Sequence, residues 1–310
     1  RALVSGSAAA ALRLKSLESG AGRFTDFLLP SLTFFEYLDL LGESRLAQAH
    51  AGTGDAADRD LPALNERFVH YLNYGGYPEV LFSEVVQRDP RRFVKSDIIE
   101  KVLLRDLPSL YGISDIQELN ALFIALAYNT AGEVSLLELS KSAGVAKQTI
   151  SRYLEYLEAA FLVRVVQRLD RSGKRFQRAN FFKVYLTNPS MRSALFSPLG
   201  ADDEAMGALV ESAVFAQHFH AAEHLFYGRW SYGEVDLVRL GSDLKVRSAL
   251  EVKWSDRFAE RPADLKALIS FCHANRLRRA QCTTRTAQHR AEVDGVRIDF
   301  TPASEICCAV

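Results

Sequence analysis

Asp236, Glu251 and Lys253 are the residues of this 310-residue chain whose types and spacing best suit chemistry. Gly233-Glu234-Val235-Asp236-Leu237-Val238 reads as a strand, Gly241-Ser242-Asp243 as a turn, and 244–254 as a returning strand. Side chains alternate along a strand, so Glu251 and Lys253 face away from Leu250, Val252 and Trp254. The hairpin brings Asp236 into the neighbourhood of Glu251. Two carboxylates and an ammonium on adjacent strands suit the binding of a hard divalent cation and the steering of a water at a phosphodiester. Mg²⁺, with Mn²⁺ as a substitute, takes oxygen ligands and keeps several waters, so a few carboxylates suffice. Such an ion lowers the pKa of its bound water and offsets charge in the transition state. Lys253 positions the nucleophile or stabilises developing charge. Upstream, 206–219 reads as an amphipathic helix carrying Glu211 and His218 seven residues apart, hence on one face. Glu211 thereby joins Asp236 and Glu251 as a candidate ligand, with Gln217 near the same end. Glu234 shares the face of Asp236, as a further ligand or as surface charge.

A second constellation lies upstream. Ser135-Leu136-Leu137-Glu138 is a capping box opening a short helix, and Ala143-Gly144-Val145 supplies a tight turn in which Gly144 is free to take positive φ. The next helix starts near Lys147, with Ile150, Leu154, Leu157 and Phe161 at core spacing. Lys147, Gln148, Ser151 and Arg152 project from its other face, where a recognition helix presents side chains to DNA. Its Ala146 is a poor N-cap. Phe161 to Leu169 alternates like the first strand of a wing. Beyond and within it, Arg164, Arg168, Arg171, Lys174, Arg175, Arg178, Lys183 and Arg192 are opposed in that stretch by Asp170 alone. Phosphate contact needs such a local positive surface. Either this hairpin grips nucleic acid, or it is solvated or packed against a neighbouring subunit. A further acid-free stretch, 276–290, lies close in sequence to the carboxylates.

The elements that must position these groups fit an ordinary globular chain. With 48% hydrophobic and 25% charged residues, the composition argues against a disordered or collagenous protein. Lys+Arg and Asp+Glu both number 38, so no global charge points to nucleic acid or a membrane. No apolar run approaches the ~18 residues of a membrane span, and the first residues lack the apolar core of a signal peptide. Cys272, Cys282, Cys307 and Cys308 lack metal or redox spacing and read as free thiols of a reducing, cytoplasmic compartment. Thr33 and Glu36 form another capping box, and Gln48–Asp60 reads as a linker. The region 61–130 reads as helical, with breaks at Tyr74-Gly75-Gly76-Tyr77-Pro78 and Leu107-Pro108. The expected class is multidomain, α followed by α/β. A homo-oligomer held by helices 61–130 is a third reading of the chain. The chain opens without Met inside an apolar run, as a fragment would.

The pattern Glu211, Asp236, Glu251-Val252-Lys253 resembles the PD-(D/E)XK nuclease superfamily, which implies that Asp236, Glu251 and Glu211 ligate metal while Lys253 assists catalysis. Nearly the whole chain resembles the C-terminal portion of prokaryotic AAA-type ATPases that carry a C-terminal domain of unknown function. The resemblance rests on Leu3-Val4-Ser5-Gly6-Ser7-Ala8, Ala21-Gly22-Arg23-Phe24, Leu32-Thr33-Phe34-Phe35-Glu36-Tyr37-Leu38, Tyr74-Gly75-Gly76-Tyr77-Pro78-Glu79-Val80 and Leu104-Arg105-Asp106-Leu107. It continues through Ile150-Ser151-Arg152-Tyr153-Leu154, Val184-Tyr185-Leu186-Thr187-Asn188-Pro189, Glu234-Val235-Asp236 and Glu251-Val252-Lys253. It implies the end of an AAA-type core at 1–47, a helical linker or lid at 61–114, a winged helix-turn-helix at 115–170 and a PD-(D/E)XK nuclease-like α/β domain at 171–310. It also implies Ser5 or Ser7 at a nucleotide-sensing position and Arg23 as a phosphate-sensing arginine. No G-x-x-x-x-G-K-[ST] loop is present, and Gly173-Lys174 is followed by Arg175. ATP hydrolysis is therefore expected of a full-length protein alone. Two functional readings follow: nucleic-acid binding, DNA foremost, with Mg²⁺-dependent cleavage, or an ATP-driven regulatory module with a degenerate nuclease fold that binds without cutting.

Overall fold

The computed structural model describes residues 29–50, 60–175, 180–220 and 225–309. Ser5, Ser7, Arg23 and Arg178 lie outside the described residues, as does most of the 48–60 linker. The chain is a mixed α/β protein built on one large mixed sheet. Its principal helices are α1 (Phe34–Leu40), α2 (Ser44–His50), α3 (Leu61–Tyr74), α4 (Ile116–Tyr128), α5 (Leu136–Ala143), α6 (Lys147–Ala159), α7 (Met206–Gln217), α8 (Lys266–Ala274) and α9 (Ala303–Cys308).

Helix α1 begins where its capping box says it should. The Thr33 side chain accepts from the Glu36 amide at 3.2 Å, and Glu36 Oε2 accepts from the Thr33 amide at 2.8 Å. Its Phe34 is buried edge-on against Phe68 of α3, ring centroids 5.1 Å apart. Helix α3 ends at Gly75-Gly76. Gly76 has φ +93°, and a Cβ there would lie 2.2 Å from the amide nitrogen of the buried Asn188 side chain. Gly76→Ala therefore combines backbone strain with overpacking and is expected to cost about 1–3 kcal/mol or more, read as a lower denaturant midpoint at unchanged slope. The break expected at Leu107-Pro108 is instead a change of helix type. π-Helical Val102–Asp106 passes into α-helical Leu107–Tyr111, and Pro108 falls in the first turn, where no amide donor is required.

Helices α5 and α6 are joined by a tight turn with Gly144 at φ +67°. Ser135 caps α5, accepting from the Glu138 amide at 3.1 Å, whereas Ala146 gives α6 no side-chain cap. Ile150, Tyr153, Leu154 and Leu157 seat α6 in a core with Leu119, Leu122, Phe123 and Leu126 of α4. Short strand β1 (Glu133–Ser135) precedes α5, and β2 (Val163–Leu169) and β3 (Phe181–Leu186) follow α6. Strand β3 pairs antiparallel with both β1 and β2.

The far edge of β2 pairs in parallel with β4 (Leu225–Trp230), through Gln167↔Phe226 and Leu169↔Gly228. Strands β5 (Gly233–Leu240), β6 (Val246–Glu251), β7 (Arg279–Thr284), β8 (His289–Val293) and β9 (Val296–Pro302) complete nine described strands in the order β1-β3-β2-β4-β5-β6-β7-β9-β8. Helices α1, α3, α7 and α9 share one core with Tyr185, Tyr227, Leu237 and Leu250 of the sheet. Helix α8 shares another with Val235, Val238 and Ala249.

Helix α7 is not amphipathic as expected. Among its residues Gly207, Ala208 and Glu211 alone escape full burial, because the helix is enclosed between the sheet and helices α3 and α9. Glu211 is its one charged side chain, and this places a carboxylate inside the protein.

Candidate carboxylate–lysine centre

Strands β5 and β6 pair through Leu237↔Leu250, so Asp236 and Glu251 are the next residues on facing strands. The Val252 amide donates to Asp236 Oδ2 at 2.8 Å and ties the end of β6 to β5. Lys253 follows, its backbone clamped to β7: Thr283 Oγ1 donates to the Lys253 carbonyl at 2.7 Å and accepts from its amide at 2.6 Å. Its ammonium lies 2.7 Å from Glu251 Oε1 and 3.5 Å from Asp236 Oδ2. Asp236, Glu251 and Lys253 are thus brought together.

Glu211 joins them through a residue that the sequence placed only among the basic cluster, Lys183. Alternation along β3 sends Phe182, Val184 and Leu186 into the core around α4 and α6, and Lys183 and Tyr185 toward α7. The Lys183 ammonium lies 2.9 Å from Glu211, 2.5 Å from Glu234 and 3.6 Å from Asp236 Oδ1, with its side chain 4% exposed. It reaches these partners over the ring of Tyr227, 5.5 Å from the centroid. Tyr185 Oη donates to Glu211 at 2.6 Å. Glu234 also pairs with Arg229, which contacts Glu133 of β1 at 3.3 Å. Glu133 in turn accepts from Tyr227 Oη at 2.8 Å. Lys183, Tyr185, Arg229 and Glu133 carry no local motif, because their roles arise from strand order. Alternation along β3 was the available signal for Lys183.

His218 and Gln217 take no part. His218 faces Arg239 at 3.0 Å, and burial followed by that guanidinium hold its pKa down at about 4. Gln217 accepts from the Phe34 amide at 2.8 Å and donates to Tyr71 Oη, fastening α7 to α1 and α3.

Four carboxylates face two ammonium groups and, at Glu234, the Arg229 guanidinium, which leaves a formal charge of −1. Burial, and then the charge of Asp236, push Glu211 up to about 7 against the pull of Lys183. The same two causes push Glu251 up to about 8 against Lys253. Both lysines are held above their ordinary value: burial opposes the charge, but the surrounding carboxylates outweigh it. Glu251 Oε2 is buried and has no hydrogen-bond partner among the described residues. Orphaned buried oxygen, an all-oxygen donor set and residual negative charge fit a hard divalent cation. As the side chains stand, they turn to the two lysines, and among the described residues no group of three or more His, Cys, Asp or Glu side chains is arranged to hold a metal ion.

The helix–turn–helix presents Lys147, Gln148 and Arg152 exposed and Ser151 half-buried on one stretch of α6. Arg171, Lys174 and Arg175 are also exposed, on a turn held by Asp170, which accepts from the Ser172 and Lys174 amides at 2.8 and 3.0 Å. This turn is fastened to the rest of the fold. Asn275 donates to the Arg171 carbonyl at 3.0 Å, and the Arg175 guanidinium lies 4.5 Å above the Phe226 ring. Arg168 is directed back to Glu133 and the Arg229 carbonyl. The four cysteines are unpaired. No described helix is long and apolar enough to cross a membrane.

A protein-family profile described as a domain of unknown function (DUF8612) matches residues 65–205. That span includes α4 to α6 and Lys183, and stops short of Glu211, Asp236, Glu251 and Lys253. An uncharacterized protein of Haemophilus influenzae is 22% identical over 285 residues, covering 90% of this chain and 64% of its own length. The chain therefore spans less than two thirds of that curated relative. No solved structure matches the chain.

Proposed function

We propose that this chain is the nucleic-acid-handling part of an AAA-type ATP-binding protein, with a winged helix that grips DNA and a PD-(D/E)XK-like centre that hydrolyses phosphodiesters with Mg²⁺. The observation that carries the reading is the meeting of Asp236, Glu251 and Lys253 at the ends of adjacent strands, around a buried and unpartnered carboxylate oxygen. Asp236 and Glu251 would hold the cation, which when bound supplies Lewis acidity and an activated water. Lys253, the more exposed of the two lysines, holds the attacking water and faces charge developing on the phosphoryl oxygens. One water is consumed per bond: its oxygen joins phosphorus, the phosphorus–oxygen bond to the leaving alcohol breaks, and one water proton ends on that alcohol. ATP would act in the full-length protein, and the grip belongs to Lys147, Gln148, Ser151 and Arg152 of α6, with Arg171, Lys174 and Arg175 beside it.

The test is incubation with labelled single- and double-stranded DNA in Mg²⁺, Mn²⁺ or EDTA. Metal-dependent cutting that disappears in Asp236→Ala is expected. Binding should weaken with salt, and Lys147→Ala and Arg152→Ala should each reduce the salt slope by about one. Slopes unchanged in both variants would remove α6 from the interface. One observation favours the non-cleaving, regulatory reading: Lys183 already sits among three carboxylates as an internal cation. Salt-sensitive binding without cutting at any metal concentration would establish that reading instead.

A further inference from the structure

Resting on the metal-binding reading above, we infer that Lys183 takes the place of a second divalent cation, so that the centre binds one ion and binds it on the Glu251 side. The centre is divided along Asp236, whose two oxygens face different ammonium groups: Oδ1 faces Lys183 at 3.6 Å and Oδ2 faces Lys253 at 3.5 Å. On the Lys183 side, oxygens of Glu211, Glu234 and Asp236 surround one fixed positive charge, and their all-oxygen chemistry is the kind a hard cation takes. That charge is locked. The Lys183 side chain is 4% exposed, and its β3 backbone is paired on both edges, to Glu133 and to Val166. Among the described residues no fully buried side-chain oxygen in this half lacks a partner.

The Glu251 half differs in each respect. Lys253 is 28% exposed and lies beyond the last residue of β6. Glu251 Oε2 is buried without a partner. Two-metal phosphodiester sites hold their ions about 3.5–4 Å apart on shared carboxylates. Here Asp236 is the shared carboxylate, and an ammonium already stands on one side of it. Lys183 is thus a residue that sets the number of ions, acting on the charge and stoichiometry of the centre rather than on a substrate.

The count of bound ions tests this directly, by titrating the whole chain with Mn²⁺ and following free Mn²⁺ by electron paramagnetic resonance. One ion per chain is expected for the unaltered protein and for Lys183→Arg, and two for Lys183→Met. Two ions in the unaltered protein, or one in a folded Lys183→Met, overturn the inference while leaving the metal-binding reading standing. No ion in either protein overturns both. If Lys183→Met does not fold, the position of the single ion decides. Glu251→Gln should weaken Mn²⁺ binding by at least about 10–100-fold, and Glu211→Gln should change it by less than about threefold. Equal losses in the two glutamine variants overturn the inference.

Discussion

Glu251→Ala and Lys253→Ala are each expected to lower Mg²⁺-dependent cleavage of labelled DNA by about 10²–10³-fold, the loss that follows removal of one transition-state-stabilising group. DNA binding should stay within about twofold. The asymmetry follows from placement. Glu251 ends β6 and Lys253 lies two residues beyond it, with side chains 12% and 28% exposed. The grip proposed for α6 draws on neither side chain. The two losses should not add, because Lys253 Nζ and Glu251 Oε1 are 2.7 Å apart and the double variant removes one coupled unit. Initial rates for the single and double variants, measured beside a binding titration, check this. Unchanged cleavage in both single variants would take the activity away from this centre.

The second large effect concerns pH. Glu211 and Glu251 bind protons in the folded protein up to about 7 and about 8, against an ordinary value of 4.5 in the unfolded chain. A group whose folded pKa is raised contributes stability below its unfolded pKa and loses that contribution as pH rises through its folded pKa. The buried His218 acts in the opposite sense, but its folded pKa of about 4 confines that to pH below 6.5. Between pH 6.5 and 8.5 the glutamates therefore dominate, and stability should fall by an amount on the order of a few kcal/mol. Millimolar Mg²⁺ or Mn²⁺ should restore much of it at pH 8.5 and little at pH 6, because the cation replaces protons the centre has given up. Urea midpoints at the two pH values, with and without metal, measure the effect. Stability that rises from pH 6.5 to 8.5 would contradict the buried state of these carboxylates.

Local sequence foretold local structure well. Thr33 and Glu36 cap α1, Ser135 opens α5, and Gly144 takes the positive φ required of it. These features depend on neighbours a few residues apart. The expected hairpin around Asp236 and Glu251 also formed, since alternation and a turn determine its register. The other half of the centre depends on strand order. Lys183 is 53 residues from Asp236 in sequence and reaches it because β2 and β4 pair in parallel beneath it. Within its own segment it reads as one more basic residue of a wing. Helix α7 was misjudged for the same reason. Glu211 resembles the polar face of a surface helix until Lys183 and Tyr185 are brought to meet it.

Strand β2 is paired on both edges, to β3 through residues 163–167 and to β4 through residues 167–169. It is therefore a party wall. This one strand serves both the helices around α6 and the sheet that carries the carboxylates, and neither side can shed it without opening its neighbour. The two halves are poor candidates for independent opening, and a fragment ending at residue 170 would leave both edges of β2 unpaired and open to its own kind. Any motion that links the helices around α6 to the carboxylate centre must then be a bend of one continuous lattice, not a swing on a tether.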